Sequence, residues 1–474
     1  MPLLYEQLAQ TIGKQIDQGI YRAGDRLPGV RPLSKQYAMS ISTVVRALEL
    51  LEDQGVVSAR PRSGIYVRGG AREAAEPQMS LPELDPVAVS SQAIALRLAQ
   101  STQEANMASL GAAVPAASFL PTQALNRSVA SVLRRYGDRI HQYAFPPGEP
   151  ALRRQIAKRM AAIQCPVTPE EIVVTNGCQE AMRLSLSAVT NAGDIVVIES
   201  PAFYGLLQVV SSLGLKALEI PTHPDRGMSL TALNLALEQW PVKACVIVPH
   251  YSNPLGYCMP DERKRALVEL LDEFKVPLVE NDVNGDLGFD QIRPSPVKVH
   301  EKNTPVFYCS SFSKTLSPGL RVGWVTATNQ VQALMHQKYV MNLATPTLPQ
   351  LAIADFLEKG RYERYVKQVR ALYERHVGQM SRAVERYFPE NTKMTRPRGG
   401  FVLWVELPPH VDALSVYQDA IQEGVSISPG PVFSATMKYR NFIRLNCAQL
   451  WDESLEQAVK RLGEIVYQRG TKNP

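Results

Sequence analysis

Apolar side chains recur at Leu4, Leu8, Ile12 and Ile16, the spacing of one face of a helix, and Gly19 ends that run. Gly24-Asp25-Arg26-Leu27-Pro28 reads as a turn, with Pro28 set ahead of a second helix from Arg31 to Tyr37. Ser40 or Ser42 can cap a third helix that runs through Val44, Val45, Leu48 and Leu51 to Gly55. Two short strands follow, Val56 to Ala59 and Ile65 to Val67, around the tip Arg60-Pro61-Arg62-Ser63-Gly64. Three helices and a basic hairpin predict an α+β winged helix-turn-helix over residues 1–68.

The pattern then changes. Residues 69–85 are small, polar and broken by proline, so 69–104 are expected to be a linker and a lead-in helix. Beyond them, short apolar runs alternate with helical patterns: Glu171 to Thr175, Ile195 to Glu199, Ala244 to Pro249, Val276 to Asn281, Val306 to Ser310 and Val322 to Ala327. That alternation predicts an α/β body over 105–474 with a mainly parallel sheet buried on both faces.

Composition narrows the class. Of 474 residues, 45% are hydrophobic and 20% charged, as in globular domains. The net charge is +6, and the first 72 residues hold ten Lys or Arg against six Asp or Glu, so part of the excess sits on the small module. Six scattered cysteines show no Cys-x-x-Cys pair, and no histidine cluster has metal spacing; reduced thiols without a metal are expected. The first residues lack the layout of a signal peptide, and no run of about 18 apolar residues occurs. A cytoplasmic protein without a membrane span is the expectation.

One stretch carries the chemistry. In Ser310-Ser311-Phe312-Ser313-Lys314-Thr315, a single lysine follows a strand-like run among small hydroxyl residues, and Arg321 comes seven residues later. A lysine amine forms a Schiff base with an aldehyde cofactor, and Ser311, Ser313 and Arg321 could hold a phosphate. Those are the groups a pyridoxal phosphate site needs.

The small module also has residues suited to double-stranded DNA. Arg31 at the start of the second helix can clamp a phosphate, and Ser40, Ser42 and Thr43 open the helix that would enter the major groove. Arg60 and Arg62 on the wing reach phosphate or minor groove, while Ser63 and Gly64 let the backbone approach closely. Gly24, Leu27-Pro28, Arg31, Leu33-Ser34, Gly55, Arg60, Ser63-Gly64 and Val67 together resemble the GntR family of bacterial transcription regulators. Two positions depart from its pattern: Gly29 stands where a serine is usual, and Ile41 where a basic residue is common.

From about residue 105 the chain resembles fold-type I aminotransferases, which implies a smaller C-terminal α/β subdomain beside the main sheet. The resemblance implies that Tyr143, in Tyr143-Ala144-Phe145-Pro146-Pro147-Gly148, reaches the phosphate of a partner subunit's cofactor. It implies that the N–H groups of Gly177, Cys178 and Gln179 cradle phosphate, that Phe203 stacks on the pyridine, and that Asn253 bonds the ring oxygen. Arg444, in Phe442-Ile443-Arg444, matches the arginine that grips a substrate carboxylate with two prongs.

One motif breaks the pattern. The family ends the strand before the lysine with Asp-x-x-Tyr, the acid holding the pyridine nitrogen protonated. Here the strand runs Glu280-Asn281-Asp282-Val283-Asn284. Setting Asn284 at the tyrosine puts Asn281 at the ring nitrogen and turns Asp282 away, unless a bulge shifts the register and brings Asp282 into contact. Slow or absent transamination is the expectation.

A DNA-binding head on an aminotransferase-like body resembles the MocR subfamily of GntR regulators. That resemblance implies a homodimer that senses pyridoxal phosphate or its adduct with an amine or amino acid effector. The alternative is an active aminotransferase with an accessory DNA-binding head.

Overall fold

A computed structural model describes residues 3–17, 20–21, 25–53, 56–60, 64–67, 74–80, 84–89, 93–100, 107–290 and 292–472. Residues 1–74 belong to one compact unit; 75–381 and 387–474 make up a second.

The first unit holds α1 (Leu4–Asp17), α2 (Val30–Gln36), α3 (Ile41–Asp53), β1 (Val57–Arg60) and β2 (Gly64–Val67). Leu8, Ile12, Leu27, Leu33, Val44, Leu48 and Val57 form its core, whereas Leu4 at the start of the α1 stripe stays exposed. Ala38 takes a left-handed φ of 53° in the turn between α2 and α3, and the Ser34 hydroxyl donates to the Met39 carbonyl at 2.6 Å. β1 and β2 pair antiparallel, with Val57 opposite Val67. The Leu27 N–H donates to Ile65 O and the Val67 N–H to Asp25 O, both at 2.8 Å, which adds a third line to the hairpin.

The second unit begins with β3 (Val87–Ala88), α4 (Ala93–Gln100), β4 (Ala108–Ser109), α5 (Thr122–Tyr136) and α6 (Pro150–Ala162). An alternating series follows: β5 (Ile172–Thr175), α7 (Cys178–Ser187), β6 (Ile195–Ser200), α8 (Tyr204–Ser212), β7 (Lys216–His223), β8 (Gly227–Met228), α9 (Leu230–Gln239), β9 (Val242–Ile247), α10 (Asp261–Glu273) and β10 (Leu278–Asn281). β11 (Val306–Ser311), β12 (Gly323–Thr326), α11 (Val331–Asn342), α12 (Thr347–Glu358) and α13 (Tyr362–Tyr387) complete the main layer. The C-terminal part comprises β13 (Lys393–Met394), β14 (Val402–Glu406), α14 (Ala413–Gln422), β15 (Val425–Ser426), β16 (Ser428–Pro429), β17 (Phe442–Asn446) and α15 (Glu453–Lys472).

The main sheet has the order β3-β7-β6-β9-β10-β11-β12-β5, with β8 alongside β7. β7, β6, β9, β10 and β11 are mutually parallel, and their buried Val, Ile and Leu runs pack on both faces. β12 runs antiparallel to both β11 and β5. The carboxyl ends of β5, β6, β9, β10 and β11 therefore open on one side, where ligands sit in α/β sheets. β13-β14-β17-β16 form a separate antiparallel sheet.

Two features differ from the sequence expectation. β7 has no clear sequence signal, because Lys216, Glu219 and Pro221 interrupt its apolar run; Glu219 is nevertheless buried, accepting from the Ala435 N–H at 2.7 Å. From Ala75 onward, the segment expected to be linker lies on the body. Ala75 O accepts from Met394 N at 3.0 Å, Leu84 O accepts from the Trp240 indole at 2.8 Å, and β3 pairs with β7.

Candidate functional site

A cavity opens at the carboxyl ends of the parallel strands, lined by Ala113, Phe203, Asn253, Asn281, Asn284 and Lys314, with Tyr251 and Phe401 among its apolar walls. Lys314 follows β11, and its Nζ donates to the Ala113 carbonyl at 2.5 Å. Burial, reinforced by the cationic Arg444 and Arg321, pushes its pKa down to about 8. About a tenth of the amine is thus neutral and nucleophilic at pH 7, far more than for an ordinary lysine.

Beside the cavity lies an anion cup. Gly177, with φ 99°, precedes the first turn of α7, where the N–H groups of Cys178 and Gln179 lack helical partners. A Cβ at Gly177 would run into the Arg321 guanidinium. Arg321 donates to Ser313 Oγ at 3.0 Å and to Asn176 O at 2.7 Å, and the Ser313 N–H donates to Ser311 Oγ at 3.3 Å. The side chain of Gln179 is exposed, so its contribution to the cup is its backbone N–H.

Arg444, on β17, is fully buried and has no carboxylate partner among the described residues. It donates to Gly111 O, to Ser428 Oγ at 2.9 Å and to Asn253 Oδ1 at 3.2 Å, while its Nε has no partner among those residues. Tyr143 lies elsewhere, 67% exposed and stacked on Phe145 with ring centres 5.3 Å apart.

Asn281 and Asp282 part company at the end of β10. Asn281 lines the cavity, and its Oδ1 accepts from Cys178 Sγ at 3.2 Å and from the Val283 N–H at 3.3 Å. Asp282, expected with it among the cofactor residues, does not line the cavity, because its carboxylate is engaged on the far side of the strand. It accepts from His250 Nδ1 at 2.7 Å, Arg293 Nη2 at 2.6 Å and the Tyr308 hydroxyl at 2.8 Å. Burial raises its pKa, but Arg293 and His250 overcome that and hold it down to about 2. Arg293 also donates to Asp286 at 2.6 Å, and Asp286 accepts from Arg159 at 2.9 Å, which extends the charged chain toward the surface. His250, Glu280 and Asp282 bring three potential metal-ligand atoms within 4.8 Å, but Glu280 accepts the N–H groups of Val297 and Lys298.

On the first unit, Ser40 caps α3: its Oγ accepts from the Thr43 N–H at 3.1 Å and lies 2.9 Å from Ser42 Oγ. Arg31, Ser40 and Ser42 are exposed. Ile41 and Val45, one turn apart, are 53% and 37% exposed. Gly64, at φ 120°, has the Arg26 guanidinium against the place a Cβ would take. Arg62 and Ser63 lie outside the described residues, and of Arg60 only the backbone in β1 is described.

Comparison with known proteins agrees with both halves. Residues 4–67 match the family described as bacterial regulatory proteins, gntR family, and residues 117–462 match aminotransferase class I and II. The HTH-type transcriptional regulator YjiR of Escherichia coli K12 is 38% identical over 98% of both chains. YdcR, a regulator of the same type and organism, is 38% identical over 98% of this chain and 99% of its own. This chain belongs to the MocR subfamily of GntR-type regulators. The α-aminoadipate aminotransferase LysN of Thermus thermophilus, solved with N-(5'-phosphopyridoxyl)-L-leucine, is 29% identical with a TM-score of 0.73, covering 79% of this chain and 98% of that one.

The MocR regulator is therefore a DNA-binding protein whose body is a fold-type I, pyridoxal phosphate-binding domain. The donors present fit that cofactor. A depressed lysine amine, a glycine cup against an arginine, and a buried arginine that has no carboxylate partner among the described residues and donates to the cavity-lining Asn253 suit an aldehyde, a phosphate and a carboxylate. Ala113 and Phe401 escape sequence reasoning because each comes from a distant loop or strand with no chemical signature of its own, whereas Tyr251 belongs to the same turn as Asn253.

Proposed function

We propose that the regulator reports the occupancy of the Lys314 cavity to its DNA-reading head, and that it works as a homodimer. Pyridoxal phosphate supplies an aldehyde that an amine can capture and a ring that withdraws electrons. Lys314 is the capturing amine. Gly177, Cys178, Gln179, Ser311, Ser313 and Arg321 hold the phosphate, Phe203 covers the ring, and Asn253 meets its oxygen. Arg444 offers two prongs to the carboxylate of an amino acid effector, exchanging backbone and hydroxyl partners for a charged one.

The observation that carries this reading is the pairing, in one chain, of a reactive buried-site lysine with a capped, exposed DNA-reading helix. Arg31, Ser40, Ser42 and Thr43, with the wing residues Arg60, Arg62, Ser63 and Gly64, contact operator DNA. Ile41 and Val45 supply an apolar stripe suited to thymine methyl groups. Tyr143, Phe145, Tyr339 and Val340 form an exposed aromatic and apolar surface that a second copy covers, bringing Tyr143 to the partner's phosphate cup. An operator-binding role puts the protein in the cytoplasm.

A ligand changes DNA affinity only by binding two arrangements of the protein unequally. The test is operator binding at fixed salt, with and without pyridoxal phosphate and amino acids. Affinity that is unmoved by saturating amounts of both overturns the proposal. The buried Arg444, held by carbonyl and hydroxyl groups, also favours a second reading, an aminotransferase carrying a DNA-binding head. Stoichiometric keto acid release from added amino acids separates the two.

A further inference from the structure

We infer that the cavity binds its pyridine ring with the ring nitrogen unprotonated, because Asn281 meets it as a hydrogen-bond donor; this rests on the cofactor reading above. The argument is one of orientation. An asparagine side chain has one oxygen that accepts and one NH2 that donates, and the two are told apart only by their partners. At Asn281 the partners decide. The Val283 N–H, two residues on, can only donate, and it points at Oδ1 from 3.3 Å in an Asx turn. The Cys178 thiol donates to the same oxygen from 3.2 Å, and burial keeps that thiol protonated by raising its pKa well above the ordinary value. Turning the amide over would set NH2 against an N–H. The oxygen is therefore fixed toward the protein, and Nδ2–H2 is the polar edge left for the cavity that Asn281 lines.

A neutral N–H donor and a pyridinium N–H cannot hydrogen-bond to each other, whereas an unprotonated ring nitrogen accepts from the amide. Nor does Asp282 supply the missing charge from behind. Its carboxylate is held by His250, Arg293 and Tyr308, and those contacts leave it ion-paired on the opposite side of the strand. Asn284 repeats the inversion. Its Nδ2 donates to Tyr251 O at 2.9 Å, which leaves its oxygen as an acceptor where the family pattern has a donating phenol. Acceptor-then-donor has become donor-then-acceptor. A site with this polarity retains the cofactor while depriving its ring of the positive charge that stabilises a carbanion, which suits a receptor more than a catalyst.

The test uses full-length protein loaded with pyridoxal phosphate carrying nitrogen-15 in the ring. The ring-nitrogen resonance is expected at the unprotonated-pyridine position, well downfield of pyridinium, and unmoved across neutral pH. Asn281→Asp, isosteric and able to accept from the same two donors, is expected to shift it to the pyridinium position. A pyridinium signal in the wild-type protein overturns the inference while leaving the cofactor reading intact. An unshifted signal in N281D likewise removes Asn281 as the determinant. Failure of the wild-type protein to retain the label overturns the cofactor reading itself, and the inference with it.

Discussion

Arg293 donates to Asp282 from 2.6 Å, and both side chains are withdrawn from solvent behind the strand that supplies Asn281. Leaving a buried charge wholly uncompensated costs about 3–5 kcal/mol, and because Arg293 keeps Asp286 while His250 and Tyr308 lose their acceptor, the low end of that range applies here. Asp282→Ala should lower stability by that amount in denaturant unfolding, and a loss within experimental scatter would show the pair to be dispensable. The pH dependence has a definite sign. Asp282 is depressed to about 2 in the fold against 3.8 ordinarily, so its stabilisation is present above about pH 4 and is lost as the pH falls through that window.

Lys314→Ala should abolish the borohydride-reducible attachment of the cofactor and leave the fold intact by circular dichroism. A reducible adduct that survives in this variant would assign the chemistry to another lysine. In the wild-type protein, the capture rate should rise with pH around a midpoint of about 8, the value to which burial and two arginines push the amine. The cofactor-free protein should also gain stability between about 8 and 10.5, where the folded amine has released its proton and the unfolded one has not.

Gly177→Ala places a methyl group at φ 99° and against the Arg321 guanidinium. Charge-assisted hydrogen bonds contribute about 1.5–3 kcal/mol each. Gly177→Ala and Arg321→Ala should therefore each weaken pyridoxal phosphate binding about ten- to hundred-fold in equilibrium titrations. Pyridoxal without its phosphate should be nearly indifferent to either change, and an equal loss for both ligands would argue against a phosphate cup.

The head allows two kinds of DNA recognition to be told apart. Arg60→Ala or Arg62→Ala should weaken binding to all sequences and reduce the salt slope by about 1 for each phosphate that is no longer neutralised. Ile41→Ala should leave the slope alone and cost discrimination at a thymine instead. An Ile41 variant with unchanged sequence preference would remove the apolar stripe from base reading.

Much of this architecture is legible in the sequence, for identifiable reasons. The head can be read because caps, turns and a glycine mark its boundaries, from Ser40 at the start of α3 to Gly64 at the wing. The parallel strands can be read because burial on both faces makes them uninterrupted apolar runs. β7 cannot, since Pro221 and the buried Glu219 break its pattern; only the third dimension supplies Glu219 with its donors. The direction of β12 is equally hidden, because a short apolar strand looks the same whichever way it runs. Side-chain alternation separates Asn281 from Asp282 in the sequence already, but the orientation of the Asn281 amide depends on Val283 and Cys178, and Cys178 is far away in the chain.

The two groups gripping the Asn281 oxygen are both proton donors, so a carboxylate would be received in the same seat without any repacking. Codons for asparagine and aspartate differ by a single base. A single base change would thus turn the group offered to the ring nitrogen from donor to acceptor, while Asn284 would still lack the phenol of the family pattern and the new carboxylate would be buried beside Asp282.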